Sequence, residues 1–259
     1  MVVPNLITKI RREQADPLIS DTSHDGISLT ALRFSRGNQR VLDLPGMTLT
    51  EKRIGIVGRN GSGKTTLMRV LAGLIKPDEG RVHVNGADVA DDRKAAIRAV
   101  GILFQNPDHQ IIFPTVEEEI SFGLQQLGQS EDNTVDNCGK ILERFGKVSW
   151  RERSIQTLSG GQRHLVCLMS VLAMAPGTIL LDEPFAGLDI PTNRALNGVI
   201  DGLDEQVVMI THDPERLQQF DRIIWIEGGK VSKDGRPSEV LPTYLAAMNE
   251  EGGSAFSDI

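Results

Sequence analysis

An α/β fold organised around a mainly parallel sheet is what this 259-residue sequence predicts, on three observations. Short apolar runs of strand length alternate with longer runs of helical period, the pattern of strands joined by helices that cover both faces of a sheet. One apolar run, Arg53-Ile54-Gly55-Ile56-Val57, feeds into Gly58-Arg59-Asn60-Gly61-Ser62-Gly63-Lys64-Thr65, a glycine-rich loop that opens a helix. From about residue 106 to about residue 174 strand patterns give way to helical ones, so a helical lobe is expected as an insertion in the sheet.

The elements follow in order. Residues 1–26 are polar and broken by Pro4, Pro17 and Gly26, and read as a mobile extension before a domain over 27–248. Two β-like runs, Ile27–Phe34 and Arg40–Leu49, precede the strand 53–57. Thr65–Leu74 continues as a helix with Leu67, Val70, Leu71 and Leu74 on one face. Gly80–Val84 leads to Asn85-Gly86, a hairpin signal because both residues tolerate positive φ. Val100–Phe104 is a buried strand. Thr115 to about Trp150 is mostly helical, on Val116, Ile120, Leu124 and Leu127 and then Ile141, Leu142 and Phe145, and Gly160–Ala175 is a further long helix. The sheet resumes with Thr178–Leu181, a helix near Thr192–Leu203, the strand Val207–Ile210, and a strand pair around Arg222–Ile226 and Lys230–Lys233. Residues 249–259 read as a disordered tail.

Composition removes several function classes. With 28 basic against 35 acidic residues the net charge is -7, which disfavours nucleic acid as a partner. Cys138 and Cys167 have no metal-ligand spacing and read as buried thiols of a reducing compartment. The N-terminus lacks the pattern of a secretory signal. No run reaches the roughly 18 to 20 apolar residues that span a bilayer, and Leu165–Ala175 stops at Pro176-Gly177. A cytoplasmic protein able to dock on a membrane protein is expected.

Three motifs carry chemistry. In the glycine loop, Gly58, Arg59, Asn60, Gly61, Ser62 and Gly63 let successive backbone N–H groups turn inward around phosphates, and the helix N-terminus adds its positive end. Lys64 is expected to reach the β- and γ-phosphates; Thr65, next to Thr66, is expected to ligate Mg2+. Asp182-Glu183 closes the strand Ile179–Leu181 at the edge where such sheets bind ligands. Asp182 suits Mg2+, and Glu183 is placed to polarise an attacking water. Leu158-Ser159-Gly160-Gly161-Gln162 caps the helix that follows it, with Ser159 as N-cap and glycines exposing N–H groups.

Taken together, these residues resemble the ATP-binding-cassette ATPases over roughly residues 27–245. The resemblance implies a P-loop fold with a mainly parallel core sheet, an antiparallel β subdomain and an inserted helical subdomain. It implies that ATP is held with Mg2+ between the glycine loop of one subunit and Ser159, Gly160, Gly161 and Gln162 of a second, most simply in a homodimer. Gln105 matches the glutamine that contacts Mg2+ and senses the γ-phosphate, Asp189 matches the D-loop, and His212 matches the switch histidine. His24, His83, His109 and His164 read as ordinary surface or core residues. Where the family places an aromatic residue on adenine, this chain has Phe34-Ser35-Arg36. Either the Arg36 guanidinium stacks on the base, or Phe34 supplies the ring, or stacking is weak.

Phe104-Gln105-Asn106-Pro107-Asp108-His109-Gln110-Ile111 and Pro114–Ile120 resemble the ATPases of energy-coupling-factor importers. That implies a groove at Pro107, Asp108 and Gln110 for a transmembrane coupling protein, with Asp108 offered to a partner arginine. It also implies a substrate-binding membrane protein in the complex, and a peripheral place on the cytoplasmic face of the inner membrane. Compactness and the stretches Leu49–Gly55 and Phe220–Ile226 resemble the biotin-transporting members. Cobalt or nickel import is the alternative within the group, and a soluble cassette ATPase acting on DNA or ribosomes is the alternative outside it.

Overall fold

The computed structural model describes residues 26–254. The expected extension, all but Gly26, and residues 255–259 of the expected tail lie outside the described residues, as does His24.

The sheet that positions the site has six strands in the order β12-β11-β5-β10-β9-β8. These are β5 (Arg53–Val57), β8 (Val100–Leu103), β9 (Thr178–Asp182), β10 (Gln206–Ile210), β11 (Arg222–Glu227) and β12 (Lys230–Gly235). Every neighbouring pair is parallel except β11 with β12. β9 and β10 are buried at every residue. Ile179, Leu181, Val207 and Met209 enter one core, and Leu180, Val208 and Ile210 enter the other. Coverage on both faces explains why these strands read as unbroken apolar runs rather than alternating ones.

An antiparallel sheet of β4 (Met47–Leu49), β1 (Ile27–Leu29), β6 (Val82–Val84) and β7 (Ala87–Asp88) packs on one core with the hairpin of β2 (Leu32–Arg36) and β3 (Gln39–Leu44). The two β-like runs expected at the N-terminal end are thus each split. β1 and β2 join different sheets, and Pro45-Gly46 separates β3 from β4, since proline cannot donate to a ladder. Asn85 and Gly86 take φ of 49° and 80°, a two-residue turn joining β6 to β7.

The helices are α1 (Lys64–Leu71), α2 (Arg93–Ala99), α3 (Val116–Gln126), α4 (Glu131–Arg144), α5 (Gly160–Ala173), α6 (Ile190–Asp201) and α7 (Pro237–Ser254). α2 is not legible in the periodicity. It is short, buries only Ala96 and Ala99, and is fixed by Asp92, whose carboxylate accepts the Ala95 N–H at 2.9 Å. α3 starts with a reciprocal cap between Thr115 and Glu118 and buries Val116, Ile120 and Leu124 at helical spacing. α7 runs into the segment expected as a disordered tail. Its Tyr244 packs edge-on against Trp225 of β11, with ring centroids 5.6 Å apart. No described helix is long and apolar enough to cross a membrane. Cys138 and Cys167 are buried and free, as expected; burial pushes the Cys167 thiol up to about 12.

The helical lobe has no core of its own. Val166, Leu168, Met169 and Leu172 of α5 share one cluster with Val116, Ile120 and Leu142 of the lobe and with Ile179, Leu181, Val207 and Met209 of the sheet. α5 is the keel joining the two. The approach is close at Gly101, where a Cβ would lie 2.3 Å from Val171 Cγ1 and 3.0 Å from Pro176 Cγ. Gly101→Ala is therefore expected to destabilise the chain by about 1–3 kcal/mol through overpacking, read as a lowered midpoint in urea unfolding at unchanged slope.

Candidate active site

The C-terminal ends of β5, β8, β9 and β10 open on one cleft of about 750 Å³ whose walls include Asn60, Gly61, Gly63, Lys64, Thr65, Thr66, Gln105, Asp182, Glu183 and His212. The glycine loop lies between β5 and α1 and is shaped by what surrounds it. Gly58 has φ of 149°, and a Cβ there would meet the Ile226 carbonyl at 2.1 Å. Gly63, at φ of 107°, presses on Leu42 and the Val41 carbonyl. Gly61, at φ of 78°, faces open space, so the loop is closed from behind and free in front. Lys64 is buried and folds back across the loop, donating to the Gly58 and Arg59 carbonyls at 2.7 Å each. Burial pushes its ammonium below the ordinary lysine value, against Glu183, Asp182 and Glu227, which hold it up. The Ser62 hydroxyl is buried with no partner. A cation held by loop carbonyls and a buried, unpaired hydroxyl at the start of a helix are what a bound polyphosphate would complete.

Asp182 ends β9, buried; burial pushes its carboxyl up, against the Thr65 hydroxyl and Lys64. Glu183 has φ of 50°, a left-handed conformation that glutamate rarely adopts. Its N–H donates to the Ile210 carbonyl at 3.0 Å, which pins the turn. The strained backbone aims the carboxylate at His212: Oε2 accepts the His212 N–H at 3.3 Å, and Oε1 lies 3.4 Å from His212 Nε2. Burial pushes the Glu183 carboxyl up, and His212 opposes that rise. A carboxylate beside a histidine, sheltered and next to a cation, can orient and deprotonate a water. Asp182 and the Thr65 hydroxyl are hard oxygen donors of the kind Mg2+ takes, usually with few protein ligands and several phosphate or water oxygens. The described residues contain no group of three or more His, Cys, Asp or Glu suited to a metal ion.

Other expected residues lie away from this cleft. Ser159 caps α5, accepting the Gln162 N–H at 3.3 Å, while the Gln162 side chain accepts the Ser159 N–H at 3.0 Å. Gly160 faces open space. A Cβ on Gly161 would lie 2.3 Å from Thr192 Cγ2, so the N-termini of α5 and α6 abut. Asp189 caps α6 through the Thr192 N–H at 2.8 Å, and its bonds to Thr192 hold its carboxyl low. In the Pro107–His109 turn Asp108 and His109 are exposed. Pro107 is buried, and the Gln110 side chain turns in, accepting the Phe104 N–H at 3.2 Å and donating to the Ile102 carbonyl at 3.3 Å. Asp108 already has a cation within its own chain: Arg163 Nε lies 2.9 Å away.

Arg36 lines the cleft, whereas Phe34 packs on the core. Sequence reasoning missed Gln39, Arg40 and Val41 on the same wall, and it missed the turn Gly228-Gly229. Gly229 donates to the Ser62 carbonyl at 2.9 Å and accepts the Asp43 N–H at 2.8 Å, tying the loop to β3. A Gly-Gly pair between two strands is a turn signal that could have flagged it. Tyr244 was missed as well: its hydroxyl lies within reach of the Gly58 N–H, so α7 backs the loop.

A family model described as ABC transporter matches residues 46–186, which span the glycine loop, Gln105, Ser159–Gln162 and Asp182-Glu183. The chain belongs to the ABC transporter family. This ABC transporter subunit is an ATPase coupled to transport, and ATP is its nucleotide. It is 55% identical over 202 residues to the biotin transport ATP-binding protein BioM of Rhodobacter capsulatus, covering 78% of this chain and 86% of that one. It is 37% identical over 193 residues to the energy-coupling factor transporter ATP-binding protein EcfA1 of Lacticaseibacillus paracasei, covering 73% and 69%. Among solved structures it resembles cbiO1 of Clostridium perfringens, part of the ABC transporter complex cbiONQ, with a TM-score of 0.73 at 27% identity over 85% of this chain and 91% of that one.

Proposed function

We propose that this ABC subunit is the ATP-hydrolysing motor of an energy-coupling-factor importer for biotin, and that it works as a head-to-tail pair of copies. The single observation that carries the cargo is the 55% identity to a biotin transport ATP-binding protein, against 37% to EcfA1. What supports the pairing is separation: Ser159 and Gly160 are not on the wall of the cleft that Lys64 and Glu183 line within one chain, so in this reading a second copy brings them to the nucleotide. Each ATP then lies between the loop Gly58–Thr66 of one copy and Ser159–Gln162 of the other, with Arg36 against the base and Asp189 at the seam.

In this reading Thr65 and Asp182, with Gln105, would hold Mg2+, which when bound would neutralise phosphate charge. Lys64 moves from the loop carbonyls to the phosphates. Glu183 takes the proton of the attacking water, and His212 fixes the Glu183 carboxylate. Asp108, above Pro107 and Gln110, meets a basic group of a transmembrane coupling protein. A substrate-binding membrane protein completes the complex at the cytoplasmic face of the inner membrane, and the helical lobe of about 106–174 carries the motion between them.

Purification of the tagged chain from membranes in mild detergent tests the proposal. Two membrane proteins should accompany it, and the complex should retain biotin. Retention of cobalt or nickel instead, or recovery of soluble partners alone, would overturn the assignment of cargo or of class respectively.

A further inference from the structure

The first two turns of α5 grip the segment after β8 at three places. Arg163 Nε lies 2.9 Å from Asp108 Oδ1. The buried His164 ring lies beside the backbone of Phe104, immediately before Gln105, which opposes the lowering of its basicity by burial. Cys167 Sγ lies 4.0 Å from the Pro107 carbonyl, to which it donates. Arg163 alone also reaches the other way: its Nη1 donates to the Leu158 carbonyl at 2.8 Å, and Leu158 precedes Ser159. One guanidinium thus spans the segment that begins at Gln105 and the turn that presents Ser159.

We propose that Arg163 is a positioning residue that locks the placement of Ser159 to that of the Gln105–Asp108 segment, so that the state of one ATP site is passed within a subunit to the other. The proposal rests on the reading that Ser159 completes the partner's site while Gln105 lines its own. Without a link the two ends of this path could move separately; Arg163 holds Leu158 by the Nη1 hydrogen bond and Asp108 by charge at 2.9 Å, its Nε having no hydrogen-bond partner. A lysine at this position keeps the charge but, as a point donor on a flexible stem, does not reproduce the two-ended geometry. The pair is not needed for stability. Asp108 is 59% exposed, and such ion pairs contribute little to folding, whereas α5 is anchored by its buried apolar face.

The test is ATP turnover by the assembled importer as a function of ATP concentration. Two coupled sites give a Hill coefficient with a ceiling of two. The unmodified complex should lie above about 1.5 and Arg163→Met near 1, with Arg163→Lys between them and closer to Met. ATP affinity of the isolated subunit should stay within about twofold, because Arg163 lies outside the cleft. Asp108→Asn should lower the coefficient as well, and the double variant should be no lower than Arg163→Met alone. Should Arg163→Met fold poorly, Asp108→Asn removes the same contact without touching α5, and its coefficient is read only on complex recovered with both membrane proteins, which separates this contact from the docking role of Asp108. An unchanged coefficient in both variants, or a coefficient of one in the unmodified complex, overturns the proposal. Failure of the paired-site reading looks different: Glu183→Gln subunits then stay monomeric at saturating ATP. A pair that forms normally and keeps its coefficient in both variants sinks only the role of Arg163.

Discussion

Glu183→Gln is expected to lower ATP turnover by about 10²–10⁴-fold, the usual contribution of a positioned general base, while ATP binding stays within a few-fold. The distinction follows from where the side chain sits. Glu183 does not shape the glycine loop; its backbone turn is held by the Ile210 carbonyl and its carboxylate faces His212. Glutamine keeps the volume and one oxygen, so the left-handed turn and the His212 N–H bond survive, but the amide cannot take a proton. The pair should therefore close on ATP and stay closed, and gel filtration with saturating ATP should show a dimer that the unmodified chain populates only transiently. The acid limb of the pH profile is a second readout. Burial raises the Glu183 carboxyl, and only its ionised form accepts a proton, so turnover in the unmodified chain should fall as pH drops through a value above the ordinary carboxylate range. Turnover within about tenfold of the unmodified chain in Glu183→Gln would remove Glu183 from the role of base.

The sequence made the sheet legible because its strands carry unusual constraints. β5, β9 and β10 are covered on both faces and are apolar between their ends, and β5 ends at a loop shaped by glycines. The asparagine–glycine turn at 85–86 was legible for a similar reason, since both residues sit at positive φ. What stayed hidden is held by tertiary contact. α2 buries two alanines, too little to generate a periodic signal, and exists because Asp92 caps it against β7 and β8. α7 has a proline at 242 and a glycine pair near its end, yet it is kept helical where Tyr244 lies on Trp225. The site divides in the same way. The loop, the carboxylates and the caps are written as local patterns. The brace of Gly229 on Ser62, the approach of Tyr244 to Gly58 and the pairing of Asp108 with Arg163 join residues far apart in the chain, and no local pattern encodes them. The expectation that Asp108 waits for a foreign arginine needed this last contact to be refined: one carboxylate oxygen is engaged at home, and a carboxylate has acceptor capacity for a second cation.

Lys64→Ala is expected to weaken ATP binding by at least about a hundredfold, the lower range for deleting one partner of a buried, hydrogen-bonded charge contact. Two terms act together. The phosphates lose a cation that burial has already stripped of most of its water, so little desolvation remains to offset the attraction in the unmodified chain. The loop also loses its internal tie, because the Gly58 and Arg59 carbonyls each accept from Nζ at 2.7 Å and nothing replaces that donor. The second term is separable. Loss of the tie lowers the melting temperature without nucleotide, and loss of the phosphate contact shows only in calorimetric titration with ATP and Mg2+. Lys64→Arg isolates them further: its charge is kept, but a planar fork does not fit between two carbonyls and a polyphosphate, so affinity should remain low. The direction of pH dependence is fixed by the same burial. The ammonium form is lost below the ordinary lysine range, so ATP affinity of the unmodified chain should decline as pH rises toward that range, and the decline should vanish in Lys64→Ala. An alanine variant that binds ATP within tenfold of the unmodified chain would mean that backbone N–H groups alone hold the phosphates, and that Lys64 is a brace for the loop rather than a ligand for the nucleotide.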